Sequence, residues 1–166
     1  MKLTPSERES LRLLADTFVP RTGDPREPLG GSASDLGVDG LIAQAIEEYQ
    51  PADVQKQFLQ LLRVIENPAL NLLITGRAMR FRNLAPQDRE RYLLGWARSR
   101  LGAKRRGFHA MKRLACFLYY SALPDGKGNP NWRGIGYTPP DPRNRPTYTT
   151  APELRRAQVW SLPVET

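Results

Sequence analysis

A chain of 166 residues is long enough for one domain that buries roughly 68–70% of its unfolded surface, so a core can form without cross-links. One cysteine, Cys116, and one histidine, His109, exclude an internal disulfide and argue against a zinc site built by this chain alone. The excess of 25 basic over 17 acidic residues, a net +8, suits an acidic partner, a nucleic acid or an anionic membrane surface without choosing among them.

Residues 1–20 carry charges throughout and lack an apolar segment, so no secretory leader is read. The expected location is cytoplasmic, with export on a partner's signal left open. Thr4-Pro5-Ser6-Glu7 is a capping box with proline at the first helical position, and it opens a helix over 4–18. Leu11, Leu14, Ala15 and Phe18 give that helix an apolar face, and Pro20 ends it. Residues 20–34 hold three prolines and three glycines and read as a mobile loop. Gly30-Gly31-Ser32 matches no phosphate-binding fingerprint.

Ser34 or Asp35 is expected to cap a second helix to about Tyr49, burying Leu41, Ile42, Ala45, Ile46 and Tyr49. Pro51 starts a third through about Glu66, with Val54, Phe58, Leu61, Leu62 and Ile65 inward. A short piece over 69–74 ends at Gly76. Pro86 opens a fifth helix with a broad face of Leu93, Leu94, Trp96, Ala97 and Leu101. The last spans about 103–123. Phe108, Met111, Leu114, Ala115, Leu118 and Ala122 form its stripe, and Phe117, Tyr119 and Tyr120 widen it until the second half is apolar nearly all round. Such a helix is central or covered by a partner.

From Pro124 the character changes. Residues 124–166 hold eight of the fifteen prolines and few aliphatic residues, so little regular structure is expected. Trp132, Tyr137, Tyr148 and Trp160 are spaced anchors suited to docking. The fold class is therefore all-α: a bundle of about five to six helices over 1–123, then an extended Pro-rich arm over 124–166 that docks on a partner.

Seven cations and no acid fall within the sixteen residues 98–113. This strip reads either as a solvated corner between two helices or as a phosphate-binding surface, though no aromatic platform or helix-turn-helix accompanies it. Cys116 sits in an apolar run and reads as a buried thiol. His109 has no carboxylate or nucleophile adjacent in sequence, and Asp88, Glu90, Glu47 and Glu48 read as solvated charges. No catalytic, cofactor-binding or metal-binding residue is assigned.

Three segments carry a family resemblance. Leu84…Asp88-Arg89-Glu90-Arg91…Trp96, then Phe108-His109-Ala110-Met111-Lys112-Arg113-Leu114, then the hook Asn129-Pro130-Asn131-Trp132-Arg133-Gly134-Ile135-Gly136-Tyr137, resemble the N-terminal helical region of long-chain alcohol oxidases. Those are membrane-associated flavoproteins of the glucose-methanol-choline oxidoreductase superfamily. The opening Leu3-Thr4-Pro5…Leu11…Leu14-Ala15-Asp16-Thr17-Phe18-Val19-Pro20 is similar both to that region and to gluconate 2-dehydrogenase subunit 3. This chain has no Gly-x-Gly-x-x-Gly and no twin-arginine signal of the kind those small subunits carry.

The resemblance implies a free-standing accessory domain bound to a separate FAD-binding subunit, with no cofactor of its own and no catalytic residue to carry over. The contacts it would use are Trp96, Phe117, Tyr120, Trp132, Ile135, Tyr137 and Trp160. Two other classes stay open: a basic nucleic-acid-binding helical protein using 98–113, and a peripheral membrane adaptor.

Overall fold

Apolar residues recur at steps of three and four rather than two, and every regular element among the described residues is helical. The structure, a computed structural model, describes residues 2–76, 78–124 and 128–139. In order come α1 (Pro5–Phe18), a 3₁₀ turn (Ser34–Leu36), α2 (Val38–Tyr49), α3 (Ala52–Ile65) and α4 (Pro68–Thr75). A second 3₁₀ turn (Phe81–Asn83), α5 (Pro86–Ala97), α6 (Gly102–Ser121) and α7 (Asn131–Gly134) follow. These seven helices exceed the expected five to six because α7, a single turn, forms inside the stretch read as irregular.

Helix α1 is the hub, packing on α2, α3, α5 and α6. Its start is fixed by the capping box: the Glu7 N–H donates to Thr4 Oγ1 at 3.3 Å, and the Thr4 N–H donates to Glu7 Oε2 at 2.9 Å. Leu11, Leu14 and Ala15 then enter the core together. Tyr92 of α5 lies between Phe81 and Trp96, with ring centroids 5.8 Å apart on either side. Phe18 meets Phe108 of α6 edge-on at 5.4 Å.

Several expectations are corrected. Tyr49 is 72% exposed, because α2 ends there and Gln50 is already extended; Ala43 takes the buried place. Leu94 and Leu101 are exposed, and Tyr92 fills the core position that the broad-face reading gave them. Asp88 is buried and pairs with Arg91 at 3.2 Å. Neither Ser34 nor Asp35 caps α2. Gly37 precedes it in the left-handed region, at φ 68°. Ser34 instead donates its N–H to Asp16 Oδ1 at 2.8 Å, and Asp35 Oδ2 accepts the Ser32 N–H at 2.7 Å.

Only the end of the stretch 20–34 is packed; residues 20–24 and 26–29 are exposed. Gly30, Gly31, Ser32 and Ala33 are buried, and the Thr22 and Gly23 N–H groups both donate to Gly30 O at 3.0 Å. A Cβ on Gly30 would lie 2.1 Å from Asp24 O, so two backbone strands approach more closely there than a side chain allows.

Candidate partner-docking site

The C-terminal half of α6 has two different sides. Met111, Ala115 and Tyr119, at steps of four, turn inward and are buried. Phe117 and Tyr120 turn outward, Phe117 being 67% exposed. Tyr119 therefore joins the buried stripe with Met111 and Ala115, and Phe117 and Tyr120 lie outside it.

The chain after α6 returns across this end of the helix and is locked there by buried polar groups. Asn129 Nδ2 donates to Tyr119 O at 2.7 Å and to Ala122 O at 2.9 Å, meeting carbonyls at the helix end. Asn129 Oδ1 accepts the Asn131 N–H at 2.8 Å, a side-chain turn that sets up α7. Asn131 Oδ1 accepts the Leu29 N–H at 2.8 Å, and the Tyr119 hydroxyl donates to Gly31 O at 2.7 Å. Burial pushes the Tyr119 hydroxyl's pKa up, against the opposing effect of its hydrogen bond with Asn131.

Leu29 has φ 64°, a left-handed backbone that L-residues avoid, and the Asn131 bond holds it there. Gly134 seals the join: a Cβ there would stand 2.9 Å from Pro28 Cβ. The polar side of the hook is thus closed by the chain itself.

Its aromatic side is open. Phe117, Tyr120, Leu123, Trp132, Ile135 and Tyr137 line a surface cleft of about 540 Å³. Trp132 Nε1 donates to Tyr120 O at 2.8 Å, and the Trp132 and Tyr137 rings meet edge-on at 5.3 Å, which makes this wall rigid. Five of the seven contacts expected from sequence, Phe117, Tyr120, Trp132, Ile135 and Tyr137, therefore gather at one place.

Trp96 does not join them. It is 2% exposed in the core, so its assignment as a partner contact is corrected. Trp160 and Tyr148 lie outside the described residues. Cys116, read as a buried core thiol, is half-buried and lines the cleft. Leu123 escaped the sequence reading, although 117, 120 and 123 recur at steps of three along one side.

The cations of 98–113 make no ion pair among the described residues. Two of them brace the corner between α5 and α6. Arg105 donates to Ser99 O at 2.6 Å, and the Lys104 ammonium stands 5.7 Å from the Trp96 ring centre. His109 is exposed with its ring edge-on to Phe108, and no group of three metal-ligating side chains occurs among the described residues. No described helix is long and apolar enough to cross a membrane. In the Gly30-Gly31-Ser32 stretch the Gly30 N–H donates to Glu27 O at 3.1 Å and the Ser32 N–H donates to Asp35, so two of its three amides are already engaged.

Asp35 ties this loop together. Burial alone would raise its pKa. The Ser32 N–H and hydroxyl, with the Arg21 guanidinium, outweigh burial and hold the carboxyl below its ordinary 3.8. A carboxyl that binds its proton less readily when folded stabilises fully above the ordinary value, and that stabilisation is lost as pH falls through the folded value. Asp35→Ala is expected to lower the urea midpoint at pH 7, and the gap to wild type is expected to shrink below about pH 4. A gap that stays constant down to pH 2.5 would contradict this.

The described residues form an all-α body that turns an aromatic cleft outward. Residues 5–139 match the family-wide sequence pattern of gluconate 2-dehydrogenase subunit 3, and the chain belongs to that family. The match takes in every helix of the described residues and the hook. Membership in a family of dehydrogenase-complex subunits implies a larger oxidoreductase partner. No curated protein and no solved structure matches the chain.

Proposed function

We propose that this chain is the non-catalytic small subunit of a two-component FAD-dependent oxidoreductase of the glucose-methanol-choline type. In this reading a separate large subunit binds FAD and oxidises an alcohol, sugar or sterol-like substrate. The small subunit stabilises it and shapes its substrate entrance. The observation that carries the reading is the gathering of Phe117, Tyr120, Leu123, Trp132, Ile135 and Tyr137 at one exposed cleft with rigid walls. Contiguous apolar surface of this kind marks a protein interface, and each large side chain buried there contributes roughly 1.5–3 kcal/mol. A subunit that binds only the folded flavoprotein stabilises it by mass action.

The test is co-expression with the neighbouring reading frame, whose product is expected to be the flavoprotein. The two chains are expected to copurify, and the flavoprotein's melting temperature is expected to rise in the complex. A chain that purifies as a stable monomer, with no flavoprotein attached, overturns the proposal. Phe117→Asp places a charge in the cleft and is expected to abolish copurification while leaving the melting curve of the isolated chain within about 0.5 kcal/mol of wild type.

A further inference from the structure

The aromatic cleft ends at a ridge made by Trp132 and Tyr137, and the same two rings wall a second cleft of about 600 Å³ beyond it. This neighbour is different in character, because Arg26 and Arg133 line it. Arg26 comes from the loop after α1 and Arg133 from α7. The bond from the Leu29 N–H to Asn131 Oδ1 fixes those two segments to each other. Both arginines are exposed, and neither makes an ion pair among the described residues. Asp35 lines the adjoining hollow with Arg26, but that carboxylate is engaged by Arg21 and by Ser32. One ridge thus separates an apolar hollow from two uncommitted guanidinium groups.

We infer that the segment seated on this face is an acid-bearing stretch of the large oxidoreductase subunit: an apolar or aromatic side chain fills the Phe117–Ile135 cleft, and a carboxylate across the Trp132–Tyr137 ridge is taken by Arg26 and Arg133. This rests on the function proposed above. The charge argument selects the occupant. Guanidinium forks match carboxylate geometry, and two of them held on separate, mutually fixed segments form a clamp. A nucleic-acid duplex would satisfy the arginines with phosphate, but its bases stay paired and stacked inside, which leaves the apolar cleft beside them unfilled. A second copy of this chain, also at +8, would bring repulsion to the face. Rim charges of this kind set register, association rate and salt dependence, while the aromatic cleft supplies the affinity.

The experiment compares the full-length chain, in complex with the co-expressed flavoprotein, against two double variants of equal charge change. R26E/R133E and R98E/R100E each replace two positive by two negative charges. Only the first touches the ridge; the second lies at the corner between α5 and α6. R26E/R133E is expected to weaken association at least about tenfold at low salt and to flatten its salt dependence, and R98E/R100E is expected to stay within about twofold of wild type. Equal weakening by both variants means long-range steering by net charge and overturns the inference. No weakening by R26E/R133E overturns it too. If wild type itself fails to copurify, the proposed function falls first and takes this inference with it, so the two failures are distinguishable. Circular dichroism checks that each variant folds, and R26A/R133A, expected to weaken association less than charge reversal, guards against a misfolded glutamate variant.

Discussion

Replacing Trp96 by alanine is expected to cost about 3–5 kcal/mol of folding free energy, the range for removing a large aromatic group from a packed core. The indole is 2% exposed and stands against Tyr92, which in turn stands against Phe81, so three rings from two segments form one stack. Helix α6 closes over it. A Cβ on Gly107 would lie 3.5 Å from Trp96 Cζ3 and 3.0 Å from Leu61 Cδ1, leaving little slack through which the helices could collapse into the void. The Lys104 ammonium over the ring would lose its π-face as well. Against a total stability of about 5–15 kcal/mol, such a loss is a large share. Urea unfolding of the isolated chain measures it. A cost under about 1 kcal/mol would mean that Trp96 is not packed as the structure shows, and would return it to the surface as a partner contact.

Trp96 also marks where the sequence stops being legible. Helices over 4–18 and 51–66, and the start of the fifth at Pro86, can be read directly, because capping residues, prolines and three-to-four spacing are local signals. Aromatic residues that suit an interface can be read too, but not whether they face inward or outward. Tyr119 and Tyr120 are adjacent and chemically identical, and only the step of four from Met111 through Ala115 sends Tyr119 inward. The packing of 20–34 was out of reach for another reason. Its anchor, Asn131, lies 102 residues away, and no local pattern encodes a bond of that range. Arg26 gave no signal at all, since only the fold brings it to the cleft that Arg133 also lines. In physical terms, periodicity settled what each segment forms, and long-range hydrogen bonds between polar side chains and backbone settled what the site is.

Asn129→Ala should impair folding and docking together, unlike a change within the cleft. The Asn129 amide donates to the carbonyls of Tyr119 and Ala122 at 2.7 and 2.9 Å, and its oxygen accepts the Asn131 N–H at 2.8 Å. All of this is buried, so alanine leaves two acceptors and one donor without their partner. With each such group costing about 1–3 kcal/mol and the effects less than additive, a loss of about 2–4 kcal/mol is expected. The second effect follows from position. Asn129 is the joint that lays α7 on the end of α6, and Trp132, Ile135 and Tyr137 hang from α7 and the turn behind it. Once the joint opens, the cleft loses one wall while Phe117 and Tyr120 keep the other. Asn129→Ala should therefore lower both the melting temperature and the yield of copurified flavoprotein. Phe117→Asp should lower the second alone. Asn129→Asp should do no better than alanine, because a carboxylate keeps the bond from the Asn131 N–H but sets negative charge against two carbonyl oxygens. An alanine variant that melts early yet binds the flavoprotein undiminished would show that the hook is a structural clasp only, and that the partner is held elsewhere.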